Sequence, residues 1–269
     1  MKPSLLASLV CALSAWLFVA AAPAAPLAVP SPDVLSARLK AETVTVVEPH
    51  LSVEGQQQRQ RYRGYPARAV LDQLLGKGWV SADTEIEFRA LDGFVSRVPS
   101  ERFARYKAWL VFGHADGSPF RIDKRDVQEQ GVSLAPFYLV WDNIGHAELL
   151  KEGSSLWPYQ VAQVQLTPSS RSRLLPAGLR GDFRAEAALA QQYCISCHQI
   201  NGYGGDKMPF NLAERARALD AQRWQDWLLR PRSLKPETLM PGLPESLPAD
   251  EREAIARKLY DYLRALPLR

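Results

Sequence analysis

Apolar and polar positions along the chain change their period once, and the change divides the chain into two regions of different character. From about residue 42 to 167 the apolar residues come in short β-branched runs or alternate with polar ones, which predicts strands. Thr43-Val44-Thr45-Val46-Val47 reads as one strand, and Gln56-Gln57-Gln58-Arg59-Gln60-Arg61 after it as a solvated loop or edge. Residues 85–90 alternate, Asp92-Gly93 turns and residues 94–98 resume, so a hairpin is expected. Residues 109–112, 137–141 and 161–166 supply three more strands. Two helices interrupt them. One is opened by Tyr65-Pro66, carries Val70, Leu71, Leu74 and Leu75 on one face and stops at Gly76; the other is short and capped by Ser100.

Pro168, Ser169, Ser170, Ser172, Pro176 and Gly178 then mark a linker, and beyond it the period becomes helical. Asp182 caps a helix whose Phe183, Ala187, Ala190, Cys194 and Cys197 step by four, three, four and three residues, placing both thiols on its buried face. Asn211 caps a second helix through Leu219, and Asp220 a third that carries Trp224, Trp227 and Leu228 before Pro231. The last helix starts about Pro248, has Asp250, Glu251 and Glu253 in its first turn, and buries Ile255, Leu259, Leu263 and Leu266.

Composition adds an address. The chain has 269 residues, 46% hydrophobic and 23% charged, with a net charge of +4 and no Lys/Arg block, so nucleic acid is not an expected partner. Lys2, the apolar run 5–22 and Ala22-Pro23-Ala24 read as a secretory leader cleaved before Ala25. The alternative is an uncleaved membrane anchor, since about 18 apolar residues reach the length of a span. Cys11 leaves with a cleaved leader, and only Cys194 and Cys197 then remain of the three cysteines.

Those two sit in Cys194-Ile195-Ser196-Cys197-His198, the pattern for attaching a c-type haem: two thiols form thioethers to one porphyrin and the adjacent imidazole ligates its iron. The competing reading is a disulfide or metal-binding Cys pair beside a chance histidine. His50, His114 and His146 are scattered and lack metal-ligand spacing. Trp224 and Trp227 read as core, and Arg230, Arg232 and Lys235 as a solvated rim.

Residues 180–269 resemble class I cytochromes c. That resemblance implies an all-α fold whose first and last helices cross beside the haem, with a Met from a late Pro-rich loop as second axial ligand. Thr238-Leu239-Met240-Pro241-Gly242 matches that loop, so the resemblance assigns His198 and Met240 as iron ligands, with Met208 a packing residue. It also assigns the Pro209 carbonyl to orient His198 through Nδ1, although Met208-Pro209-Phe210-Asn211-Leu212 is one residue longer than the family's turn.

Residues 42–167, through Tyr62-Arg63-Gly64-Tyr65-Pro66, Leu91-Asp92-Gly93-Phe94, Pro136-Phe137-Tyr138-Leu139-Val140-Trp141 and Trp157-Pro158-Tyr159-Gln160, resemble the molybdopterin-binding domain of the sulfite oxidase family. That family ligates molybdenum with a cysteine thiolate, which this segment lacks, so the resemblance implies the fold without the molybdopterin and leaves docking or scaffolding as its role.

The expected fold class is therefore an α+β N-terminal domain with a sulfite-oxidase-like mixed β fold, followed by an all-α class I cytochrome c domain. The expected boundaries are a signal peptide at 1–24, a linker at 25–41, the first domain at 42–167, a second linker at 168–180 and the haem domain at 181–269. The expected function is that of an exported, periplasmic electron carrier with one covalent haem c. Its donor would be a dehydrogenase or cytochrome and its acceptor an oxidase or cytochrome, with contact to a membrane only through an uncleaved leader. A haem-linked molybdopterin oxidoreductase subunit, an open-site haem enzyme and a structural subunit of a periplasmic complex are the alternatives.

Overall fold

The strand runs read from the sequence pair into antiparallel sheets in a computed structural model, which describes residues 25–52, 56–125, 129–244 and 247–268. The expectations for the leader and Cys11 lie outside the described residues. No helix of the described residues is long and apolar enough to cross a membrane.

In chain order the first half runs β1 (Leu27–Ala28), α1 (Pro32–Ser36), β2 (Glu42–Val47), β3 (Arg59–Pro66), α2 (Ala67–Leu75), β4 (Thr84–Ala90), β5 (Val95–Pro99), α3 (Arg102–Arg105), β6 (Ala108–His114), β7 (Arg121–Lys124), β8 (Glu129–Ser133), β9 (Tyr138–Trp141), α4 (Ala147–Glu152) and β10 (Val161–Pro168). One four-stranded sheet has the order β1-β10-β4-β5, another β2-β3-β6-β9, and β7-β8 is a separate ribbon. Val44, Val46, Tyr62, Leu110 and Leu139 from one large sheet and Ile86, Phe88, Val98 and Val164 from the other share a single apolar cluster, which explains why the short β-branched runs are buried. The stretch read as a first linker is built into this unit: β1 pairs with β10, and Leu35 of α1 is buried in the cluster. Ser100 does not cap α3. Its hydroxyl instead donates to the Ser81 carbonyl, and Glu101 precedes the helix.

Gly64 shows what the backbone demands. At the register shift between Arg63 and Gly64, where β3 meets β6, a Cβ on Gly64 would lie 2.6 Å from both the Leu110 carbonyl oxygen and the Val111 Cα. Only hydrogen fits between two strands this close.

The second half runs from a 3-10 turn (Arg171–Arg173) through α5 (Arg184–Tyr193), β11 (Gln199–Ile200), β12 (Tyr203–Gly204), α6 (Leu212–Ala218), α7 (Ala221–Leu229), α8 (Pro231–Leu234) and α9 (Ala249–Ala265). Asn211 and Asp220 cap α6 and α7 as their positions predict, their side chains accepting from the N–H groups of Ala213 and Arg223. Phe183, not Asp182, occupies the cap position of α5. The second expected linker is also incorporated, with Leu174 buried in the apolar cluster of this half.

The expectation of a separate all-α class I cytochrome c domain is overturned. The molecule is mixed α/β, with four antiparallel sheets and nine α-helices among the described residues, and one of those sheets, β11-β12, lies within the C-terminal half. The physical reason is local. Asn201 and Gly202 adopt φ of 50° and 75°, the two left-handed positions of a type I′ turn, and Ile200 pairs directly with Tyr203 across it.

Nor is this half set apart from the first. Residues 85–90 alternate, but the face of β4 carrying Glu85 and Glu87 is not solvated: these two residues are 1% and 4% exposed. The Tyr203 hydroxyl donates to Glu85, and Arg97 of β5 pairs with Glu87 while donating to the Gly204 carbonyl. The two carboxylates buried at this seam draw their partners from both halves, Glu85 from Tyr203 and Arg171 and Glu87 from Arg89 and Arg97.

Gly64→Ala should lower the unfolding free energy by about 1–3 kcal/mol, the usual scale for forcing an extra carbon into a packed site. Denaturant unfolding followed by circular dichroism would show the loss, and an unchanged midpoint would contradict the close β3–β6 approach.

Candidate functional site

The site grows from the end of α5. Cys194 is its C-cap, and its N–H still donates to the Ala190 carbonyl at 2.9 Å. One further turn follows, closed by the N–H groups of Cys197 and His198 donating to the Cys194 carbonyl at 3.3 and 3.0 Å. The motif is thus a single turn of backbone that presents two thiols and an imidazole together.

The chain then doubles back over that turn through β11, the Asn201-Gly202 turn and β12. The Gly205 N–H donates to the carbonyls of Ile195 at 2.7 Å and His198 at 3.0 Å, and the Met208 N–H donates to the Cys197 carbonyl at 2.8 Å. The approach is close enough that a Cβ on Gly204 would run into the His198 carbonyl, and one on Gly205 into the Ser196 carbonyl. Gly204 also sits at φ 141°, where side chains are rarely tolerated.

This return fixes the imidazole. His198 is 8% exposed, its Nδ1 lies 3.2 Å from the Met208 carbonyl oxygen, and its ring packs against Phe210 with centroids 4.6 Å apart. A carbonyl only accepts, so Nδ1 carries the proton and Nε2 keeps its lone pair for a metal. Burial lowers the His198 pKa, the Met208 bond opposing it, and this favours the neutral ligand form. The orienting carbonyl is that of Met208 and not that of Pro209, one residue later. The bond from the Met208 N–H to Cys197 holds this residue against the turn, and proline has no N–H with which to do the same.

Both thiols are free. Burial, with Cys197 adding to it, pushes Cys194 up to about 12, and burial also raises Cys197. Neutral thiols are poor nucleophiles and poor thiolate ligands at neutral pH. A thiol added across a vinyl group becomes a neutral thioether, which suits this environment.

The remaining sequence candidates distribute unevenly. Met240 is half-buried and packs, like Cys194, against the apolar cluster of the second half; the neighbouring Leu239 is 83% exposed. Met208 is 50% exposed and Phe210 38%, so apolar side chains stand open beside the imidazole. Trp224 is core, its indole N–H donating to the Ala256 carbonyl at 3.0 Å. His114 stacks on Tyr62, His50 lies among Tyr138 and Tyr159, and His146 sits beside Glu148. Among the described residues no three His, Cys, Asp or Glu side chains converge as a metal-binding group. A cavity of about 400 Å³ lined by Leu175, Leu179 and Phe183, and one of about 320 Å³ between α7 and α9, have no residue of the motif in their walls.

Sequence reasoning missed Tyr203, Glu85 and the Asn201-Gly202 turn. The last was within reach, because Asn-Gly flanked by the apolar Ile200 and Tyr203 is a strong short-range hairpin signal. Glu85 carried no such signal. Burial raises its pKa above the carboxylate range, with the hydrogen bond from Tyr203 and the Arg171 guanidinium 3.0 Å away pulling it back. No family model matches the chain, and no curated protein matches it.

Glu85 generates a pH dependence. Unfolded, it releases its proton at the ordinary carboxylate pH, whereas the folded chain holds that proton to higher pH. Between those two values the native state binds more protons, so stability falls as pH rises through the window and the loss persists above it. Glu85→Gln should flatten this slope in unfolding free energies measured at a series of pH values; an unchanged slope would remove Glu85 as its source.

Proposed function

We propose that this chain is an exported one-electron carrier that holds a single covalent haem c, passing electrons between a periplasmic donor and acceptor. The observation that carries the reading is the Nδ1 bond from His198 to the Met208 carbonyl, which leaves a buried imidazole with Nε2 free on the same turn as two unpaired thiols. The residues present fit the group. Cys194 and Cys197 would anchor the porphyrin, His198 would bind its iron, and Met208, Phe210 and Leu239 are the kind of open apolar side chains that a flat macrocycle would cover.

A haem bound there supplies a one-electron ferric/ferrous couple. The chain's part is to keep it fixed. The Met208 carbonyl holds the imidazole plane and makes Nε2 a stronger donor. Met240, with its N–H held by the Thr238 hydroxyl at 3.2 Å, would supply a thioether sulfur to the iron and favour the ferrous form. Iron held by both His198 and Met240 would be closed to substrate, which suits a carrier more than a catalyst. The absence of cysteine from residues 42–167 supports a docking or scaffolding role for the first half over a molybdopterin one.

Protein exported from a host able to mature c-type cytochromes should gain the mass of one haem, resistant to acid extraction. Cys194→Ser together with Cys197→Ser should abolish that gain, and a wild-type chain of unmodified mass would sink the proposal. Met240→Ala should keep the covalent haem and lose the far-red sulfur-to-iron band of the ferric form. Retention of that band would remove Met240 as the ligand.

A further inference from the structure

We propose that the β4–β5 hairpin is a clamp that positions His198 and so sets the potential of the haem iron, with Arg97, Glu85 and Asp92 as positioning residues. This deepens the proposed haem function and rests on it. Four of the five residues from 203 to 207 are tied to that one hairpin. Tyr203 donates its hydroxyl to Glu85 at 3.0 Å, the Gly204 carbonyl accepts from Arg97, Asp206 lies 3.6 Å from Arg89, and Lys207 pairs with Asp92 at the hairpin's tip. The next residue is Met208, whose carbonyl accepts the Nδ1–H of His198.

Arg97 is the centre of the arrangement. Its guanidinium is anchored by Glu87, with N···O distances of 2.9 and 2.7 Å, and lies 5.4 Å from the centroid of the Tyr203 ring. Arg97 and Glu87 face each other across the β4–β5 ladder, so the position from which Arg97 reaches Gly204 is set by strand register. Half-exposed Lys207 and Asp92 contribute little by themselves, because solvent screens such pairs. The Glu85–Tyr203 contact acts where water does not compete, and the part-buried Arg97 bond where it competes less.

None of the three positioning residues belongs to the Cys194–His198 turn. They act on it through the backbone of 203–208, which bonds to that turn at Gly205 and Met208. A firmly held acceptor on Nδ1 makes the imidazole a stronger electron donor and favours ferric iron; a loosened one lets the potential rise.

The test uses the full-length haem-loaded protein, with midpoint potentials from spectroelectrochemical titration and haem content measured for each variant. Arg97→Ala should retain one haem per chain and shift the midpoint positive. Arg97→Lys should recover part of that shift, and Asp92→Asn should give a smaller shift of the same sign. If Arg97→Ala fails to fold, Tyr203→Phe removes only the hydroxyl at the seam, and a positive shift is again expected. Haem-loaded variants with the wild-type potential would overturn the clamp while leaving the carrier function standing. A wild-type chain without haem would overturn the carrier function and the clamp with it.

Discussion

Because residues 204 and 205 lie against the carbonyls of His198 and Ser196, the chain leaving the thiol turn has one narrow way back across it, and the rest of the site depends on that passage. Two adjacent glycines permit it. Once there, the Gly205 N–H reaches two carbonyls of the turn, the Met208 N–H reaches a third, and the Met208 carbonyl is left facing the imidazole. The tautomer of His198 is thus a consequence of backbone packing several residues away, with no acidic side chain involved.

The same return stroke joins the halves. β4 buries both faces: Ile86 and Phe88 in the sheet cluster, and on the other face Glu85, against Tyr203 of the hairpin that follows the thiols, and Glu87, beneath Arg89 and Arg97. A carboxylate removed from water needs donors to offset its lost hydration. Tyr203 and Arg171 supply them to Glu85, and Arg89 and Arg97 to Glu87. A seam of this kind fixes relative position more tightly than apolar contact, because the bonds are directional.

Much of the secondary structure was legible because it rests on local chemistry. The alternation before Asp92-Gly93 gives β4 and β5, the β-branched run gives β2, and Asn211 and Asp220 announce α6 and α7. The thiol motif was legible too, being contiguous. What stayed hidden was set by partners distant in sequence. Glu85 and Glu87 stand in the sequence only as the polar members of an alternating run, and nothing near them shows that Tyr203 and Arg97 bury them. The orienting carbonyl belongs to Met208 because of a bond from its N–H to Cys197, a detail of loop geometry that residue types do not encode. The all-α expectation failed for a different reason: a readable Asn-Gly turn lay inside a region whose helical period dominated the pattern.

The bond between Tyr203 and Glu85 spans 118 residues of chain. Contacts that far apart form only after a large loop has closed, and the entropy of closure slows them relative to helices and neighbouring strands. The thiol turn itself is local and can form early, but the segment that returns over it is tied to β4 only when residues 118 apart in the chain meet. Formation of the thiol turn and completion of the tertiary fold are therefore separable events in time, the first needing a short peptide and the second the closure of a loop of 118 residues.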